Sequence, residues 1–568
     1  MEPRNKQIRD ADDVGACGRR SGRERYTRVP GRSRAVKDPE HAGKPFEQEL
    51  GDLIGARGKA GGAAKANSHK AAIDADEESE TSIRPKKSSN EGAQATAEMT
   101  EERDVAEVNA GQSPASRTQS RRGASMGLEG VREAARHDRR LRFTALLHHV
   151  TPQLLTQSYK ALSRRAAVGV DGVTWSEYGQ GLEARIERLH RAVHEGTYRA
   201  QPSRRSYIPK ADGSKRPLGI AALEDKIVQQ AVATVLSAIY EQDFLGFSYG
   251  FRTGRRQHDA LDALTVALQK RKVNWILDAD IKAFFDNIDH EWMMRFLKHR
   301  VADHRVLRLI RKWLKAGIIE EGKRIEGQKG SPQGAVISPF LSNLYLHYVL
   351  DLWTHQWRRR SAMGEVIITR YADDAVLGFQ HASDAKRFLR AMRERFAGFG
   401  LELHPDKTRL IEFGRYAAQR REERGQGKPE TFDFLGFTHC CHRTRRGDFV
   451  VRRLSNKKRM RASLAAIRKE LKRRRHDAVA MQGRWLRQKA QGYFNYFAVP
   501  GNLRRLIGYR REVVRAWRQS LRRRSQRAHM AWDRFARLID LYIPQVRQLH
   551  PYPSERFRVS NQGKSRMQ

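Results

Sequence analysis

Cysteine is nearly absent from this chain of 568 residues, which carries Cys17 and the adjacent pair Cys440 and Cys441. No CxxC pair is present for zinc, and three thiols make no disulfide framework, so a reducing, cytoplasmic compartment is expected. Long apolar runs are missing too. Nothing approaches the roughly 18–20 residues that span a bilayer, and the start, Met1-Glu2-Pro3-Arg4, has no apolar signal core. No membrane partner is expected. Acid is scarce: 65 Asp and Glu against 110 Lys and Arg leave a formal net charge of +45. Such a field sets the chain apart from balanced metabolic enzymes and points to a polyanionic partner, nucleic acid first.

The length accommodates three or four domains. Residues 1–125 have few aromatics and large aliphatics, and segments such as Gly61-Gly62-Ala63-Ala64 and Asp76-Glu77-Glu78-Ser79-Glu80 bury too little to offset chain entropy, which predicts a disordered N-terminal extension. Helical spacing follows over 126–205, with Thr151-Pro152 as a cap and first-turn proline and Leu182, Ile186, Leu189 and Val193 as one apolar face. Residues 206–445 mix strands with helices. They open on a basic hairpin around Asp212-Gly213 and pass a strand at Trp275–Ile281, helical stretches at 291–316, 338–352 and 383–398, and strand-like segments at 407–413 and 432–438. From there to about 555 the pattern is helical and strongly basic, and a polar, flexible tail is expected over 556–568. The fold class is α+β.

The densest chemical signal is Arg370-Tyr371-Ala372-Asp373-Asp374-Ala375-Val376, with β-branched and apolar residues on both sides. This reads as a hairpin whose tight turn carries two acids. Neighbouring carboxylates repel, so presenting both calls for a cation. Mg²⁺ suits all-oxygen ligation, and two such ions about 3.5–4 Å apart serve phosphoryl and nucleotidyl transfer. A solvated Asp-Asp turn is the ordinary alternative for that dipeptide alone.

Other blocks change the balance. Asp280-Ile281-Lys282 ends a strand and runs into Phe284-Phe285-Asp286-Asn287. Gly330-Ser331-Pro332-Gln333-Gly334 follows, then Tyr371-Ala372-Asp373-Asp374 and Phe434-Leu435-Gly436-Phe437, with Tyr249-Gly250-Phe251-Arg252 upstream. In this order they resemble the right-hand palm of reverse transcriptases, above all the group II intron-encoded enzymes, the maturases. Gly492-Tyr493-Phe494-Asn495-Tyr496-Phe497 and Val499-Pro500-Gly501-Asn502 resemble that family's helical thumb, or X domain. The likeness covers about 140–560. It departs from the family pattern at Ala335 and at Thr253-Gly254, neither of them a metal-ligand position.

The resemblance implies a right-hand polymerase: an N-terminal helical segment (126–205), fingers and palm (206–445) and a helical thumb (446–555). It implies that Asp280 and Asp373 are the principal ligands of two Mg²⁺ ions, with Asp374 auxiliary. Asp278 shares a strand face with Asp280 and is the rival. Phe285 would exclude a 2′-hydroxyl and so select dNTPs, with Phe284 a core residue beside it. Lys210, Arg216, Ile281, Gln333 and Lys407 are the remaining nucleotide contacts. Arg510, Arg511, Arg515, Arg518, Arg522, Arg523 and Arg524 would track RNA phosphates. Trp517 and Tyr509 between them could stack on bases, though the i, i+4 spacing of Trp517 with Val513 favours core for it, and the aromatics from Tyr493 to Phe497 read mostly as core. The function implied is RNA-directed DNA synthesis, with intron RNA bound for splicing and a DNA target supplying the primer. No CxxC or His-rich cluster follows the thumb, so no DNA-cleaving domain is expected. The alternatives are a non-catalytic RNA-binding splicing factor, and a reverse transcriptase of a retron or diversity-generating element.

Overall fold

A computed structural model describes residues 127–209, 215–525 and 530–561. The extension expected at 1–125 and the hairpin residue Lys210 lie outside the described residues. Eleven strands among the described residues form three sheets threaded between helices, an α+β architecture.

The sheet that positions the aspartates is antiparallel, in the order β6-β7-β3-β8: Val366–Tyr371, Asp374–Phe379, Trp275–Ala279 and Arg409–Glu412. Its three longer strands are rich in buried apolar residues because both faces are covered. Ile276, Leu277, Ile368, Val376, Leu377 and Phe379 are all at most 2% exposed. One helix, Leu223–Asp243, supplies much of the remaining core through Ile227, Val228, Ala231, Val235, Leu236 and Ile239, all buried. A second sheet, β2-β1-β4-β5, contains the basic hairpin of β1 (Ser203–Pro209) and β2 (Lys215–Ile220), with β4 (Ile318–Glu320) and β5 (Lys323–Ile325) beyond β1.

The helical stretch expected at 291–316 is two helices, His290–Lys298 and His304–Lys315. Between them Val301 pairs with Phe143, and Asp303 caps the second helix through the Arg305 and Val306 amides. The segment at 432–438 is likewise two strands, β9 (Phe432–Phe434) and β10 (Phe437–Arg443), because Leu435 and Gly436 take positive φ and turn the chain back. With β11 (Phe449–Ser455) they form the third sheet.

Helices Lys457–Arg473, Val479–Phe497, Leu503–Arg522 and Trp532–Tyr542 follow. They close over Leu486, Tyr493, Phe497, Tyr509, Val513, Trp517 and Phe535. Where a flexible tail is expected from 556, Pro553–Asn561 is helical. Arg556 reaches Asp262 at 3.0 Å, and Arg453 of β11 holds the other oxygen of that carboxylate at 2.6 Å. A buried acid needs compensating charge, and this one draws the end of the chain onto helix Gln257–Lys270. Among the described residues, no helix is long and apolar enough to cross a membrane.

Candidate active site

Tyr371 pairs with Asp374, so Ala372 and Asp373 alone make the turn between β6 and β7. A two-residue hairpin matching the strand twist needs positive φ, and Ala372 takes it at 55°. For a residue with a Cβ this costs about 1–2 kcal/mol, and Arg370 holds the turn in place. Its guanidinium is fully buried and donates to the Ala372 carbonyl at 2.8 Å, to Asn343 Oδ1 at 3.0 Å and to Ser248 Oγ at 2.7 Å. It also forks onto both oxygens of Asp351, itself fully buried, at 2.8 and 2.6 Å. Segment Phe247–Gly250 lies alongside. The Arg370 amide donates to Phe247 and the Tyr249 amide to Arg370, each at 2.9 Å. A Cβ on Gly250 would stand 2.2 Å from the Ala372 nitrogen, which explains the glycine of the Tyr-Gly-Phe block. Sequence reading assigned Arg370, Asp351, Asn343, Ser248 and Gly250 no role. The signal was an arginine beside the buried Ile367, Ile368 and Thr369, because an interior charge demands partners.

The carboxylates meet at the end of the same sheet. The β3–β7 register ends at Ala279 opposite Ala375, so Asp280 and Asp374 are the next residues of the two strands, and the Asp280 charge reaches Asp374. Protein packed around the Asp374 carboxyl, and then the charges of Asp373, Asp280 and Asp278, push its pKa up to about 7. Asp374 is nonetheless an exposed residue. Asp278, the rival, is spent on a cross-strand ion pair: it lies opposite Arg409 and bonds it at 3.3 Å. Burial first lifts its pKa to about 6. Asp280 sits at the open end, where the loop bearing Lys407 folds back and the ammonium lies 3.1 Å from its carboxylate. Thus Lys407 touches the acid itself. As they stand, no three His, Cys, Asp or Glu side chains among the described residues converge tightly enough to hold a metal ion. The donor set still fits a hard divalent cation, being all carboxylate oxygen, and the cation that contacts Asp280 among the described residues is a displaceable, exposed lysine.

One wall of the site is stitched from distant segments. After Ala283, at φ 46°, the single turn Phe284–Asn287 buries Phe284 and leaves Phe285 half-exposed, their rings 5.4 Å apart. The Phe285 carbonyl accepts from the Ser331 amide at 2.8 Å. Gly330, at φ 85°, packs where a Cβ would come within 2.9 Å of that carbonyl. Further along the loop, Gln333 accepts through its carbonyl from the Gly219 amide of β2 at 2.6 Å, and its buried Oε1 meets no donor among the described residues. Arg216 stands on β2 opposite Ile208. Ile281 is buried, so its side chain faces the core; its bridge to Leu403 is bonded through Lys282 and His404, which turns the Ile281 amide the other way. Asp280, Phe285, Gln333 and β2 are therefore mechanically connected.

The seven arginines of helix Leu503–Arg522 and its end divide. Arg511, Arg515, Arg522 and Arg523 are exposed. Arg510 donates to the Pro544 carbonyl at 3.0 Å and Arg524 to those of His476 and Asp477 at 3.1 and 2.9 Å, so both tie helices together. Arg518 stacks over Trp532 at 4.7 Å. Tyr509 is no stacking platform: it is 1% exposed and lies flat against Tyr493 at 3.8 Å. Trp517 is fully buried and donates to Gln482 Oε1, and Tyr493, Phe494, Tyr496 and Phe497 are buried as well.

The reverse transcriptase (RNA-dependent DNA polymerase) family matches residues 208–439. Protein YkfC of Escherichia coli (strain K12) is 35% identical over 310 residues, 48% of this chain and 81% of that protein. Group II intron-encoded protein LtrA of Lactococcus lactis subsp. cremoris is 36% identical over 216 residues, 37% of this chain and 36% of LtrA, so the chain spans about a third of that relative. An uncharacterized 91 kDa protein in the cob intron of Schizosaccharomyces pombe is 40% identical over 162 residues, 28% of this chain and 20% of that protein. With four carboxylates at the end of one sheet, the matched family spanning that sheet and most of YkfC's length covered, the chain belongs to the reverse transcriptases, in the branch encoded by group II introns.

Proposed function

We propose that this chain copies RNA into DNA at the turn Ala372-Asp373, extending a DNA primer with dNTPs, and that it binds the RNA of its own group II intron to assist splicing and insertion. The observation that carries the reading is the placing of Asp280, Asp373 and Asp374 at one end of a single sheet, near enough for the other two charges to act on Asp374, with Arg370 clamping the turn from behind. Asp280 and Asp373 would hold two Mg²⁺ ions, with Asp374 auxiliary. When bound, such ions make a primer 3′-hydroxyl more acidic and neutralise charge on the triphosphate. Phe285 stands against the sugar and excludes a 2′-hydroxyl. Gln333 offers its unmet Oε1 to the nucleotide, the Ile281 amide faces the same space, and Lys210 and Arg216 hold the phosphates by ammonium and planar fork. Lys407 leaves Asp280 when the site is loaded and becomes available to the triphosphate.

In this reading 206–445 are fingers and palm, preceded by a helical segment from 126 and an N-terminal extension, and the helices to 555 are the thumb. Arg511, Arg515, Arg522 and Arg523 are the thumb's exposed phosphate contacts. The protein works in the reducing cytoplasm.

Primer extension on an RNA template with dNTPs and Mg²⁺, comparing wild type with Asp373→Ala, tests the proposal, with RNA binding measured in parallel. Synthesis is expected to vanish in the variant and binding to persist. DNA synthesis by the variant would overturn the site, and a folded, RNA-binding wild type that extends nothing would favour a non-catalytic splicing factor.

A further inference from the structure

The chain's positive charge is not spread evenly. Helix Gln257–Lys270 ends in Lys270, followed by Arg271 and Lys272, all exposed. The helix Leu352–Arg360 ends in Arg358, Arg359 and Arg360. The two ends meet. Arg358, half-buried over the Phe247 ring at 5.7 Å and bonded to His355 Nδ1 at 2.9 Å, feels the charges of both Arg359 and Arg271. Burial and these two cations lower its pKa, a mark of crowding among like charges.

None of Lys270, Arg271, Lys272, Arg359 and Arg360 makes an ion pair among the described residues. Several other arginine clusters do have acids: Arg420 and Arg424 share Glu412, Arg473 and Arg474 share Glu470, and Arg387 takes Asp384. The carboxylate bonded into the cluster, Glu365, accepts from the Lys272 main-chain amide at 3.1 Å, not from its ammonium. Helix C-termini favour cations by about 0.3–1 kcal/mol each within the last turn. That effect accounts for one or two basic residues per helix; it does not account for two such ends brought together with Lys270, Arg271, Lys272, Arg359 and Arg360 all outside any ion pair among the described residues.

The cluster lies at the start of β3 and β6, the end of the sheet opposite the aspartates. The five steps from Trp275 to Asp280 put it at least about 16 Å from the site. The copying chemistry at the aspartates makes no use of it, and a large folded RNA presents phosphates at that distance.

We propose that Lys270–Lys272 and Arg358–Arg360 form a second RNA-binding surface, separate from the copying site, that takes the phosphate backbone of a folded RNA. This rests on the RNA-partner reading above. The test compares wild type with Arg271→Glu/Arg359→Glu/Arg360→Glu. It measures affinity for a Mg²⁺-folded group II intron transcript and for duplex DNA over a salt series, and extension of a short primer–template. Affinity for the transcript should fall at least about tenfold, with a log–log salt slope shallower by about 2–3. Extension should be unchanged, and the triple Arg→Lys variant should bind like wild type. Unchanged transcript affinity and slope overturn the proposal, as does an effect confined to duplex DNA. Equal loss of extension, or failure of the Arg→Lys variant to bind, shows that the residues serve the fold or the copying site and overturns it too. A wild type that binds the transcript but extends nothing counts against the polymerase reading alone.

Discussion

Arg370→Met tests whether the catalytic turn is held by the buried arginine behind it. Methionine keeps most of the side-chain volume and removes five hydrogen bonds, two to Asp351 and one each to Asn343, Ala372 and Ser248. Asp351 has no exposure to solvent. Breaking such a pair leaves a buried charge uncompensated, which costs about 3–5 kcal/mol, because desolvation of the remaining ion is no longer offset. Denaturant unfolding should show that loss. The companion variant, Arg370→Met/Asp351→Leu, removes both charges, and apolar replacement of a buried pair is often near neutral. It should regain most of the stability. It should not regain synthesis, because the Ala372 carbonyl and its positive-φ turn stay unheld, and primer extension by the double variant should remain at least about tenfold down. Two results would refute the reasoning: a single variant less than about 1 kcal/mol destabilised, or a double variant that polymerises at the wild-type rate.

Gly250→Ala places a Cβ 2.2 Å from the Ala372 nitrogen, against backbone with no flexible end to yield, so extension should fall by at least about tenfold while RNA binding stays intact. Wild-type extension would show that the close approach is not needed. Acid should loosen the joint between the sheet and the C-terminal helices. Burial, with Arg453 adding, lowers His439 to about 3, and burial, with Arg556 and Arg453 adding, lowers His550 to about 4. Both bases are neutral when folded and take up protons on unfolding below about pH 6.5. Stability is therefore complete above pH 6.5 and lost progressively as pH falls toward 4. In thermal melts, His439→Phe, which keeps a ring against Phe432, should flatten that dependence by about one proton; an unaltered slope would refute the assignment.

The sequence by itself determined the hairpin, the order of the motif blocks, the basic helical C-terminal region and the residue types at the site. These are written in periodicity and local turn chemistry. A two-residue turn between β-branched runs and a strand ending at Asp280 need no distant partner to be recognised. It also separated Phe284 from Phe285 and favoured the core over base stacking for Trp517.

Other features depended on contacts between residues far apart in the chain. Only the tertiary structure could show that Arg370 reaches Asp351, Asn343 and Ser248, or that Asp278 is neutralised across the sheet by Arg409. It alone put Lys407 on Asp280 and took Arg510 and Arg524 out of the surface. The C-terminal helix was hidden for the same reason, since a nine-residue helix is marginal alone and this one is secured by the pair of Arg556 with Asp262. Local propensity is a property of neighbours in sequence. The partner of a buried charge is decided by which strand or helix packs beside it, and that information exists only once the chain is folded.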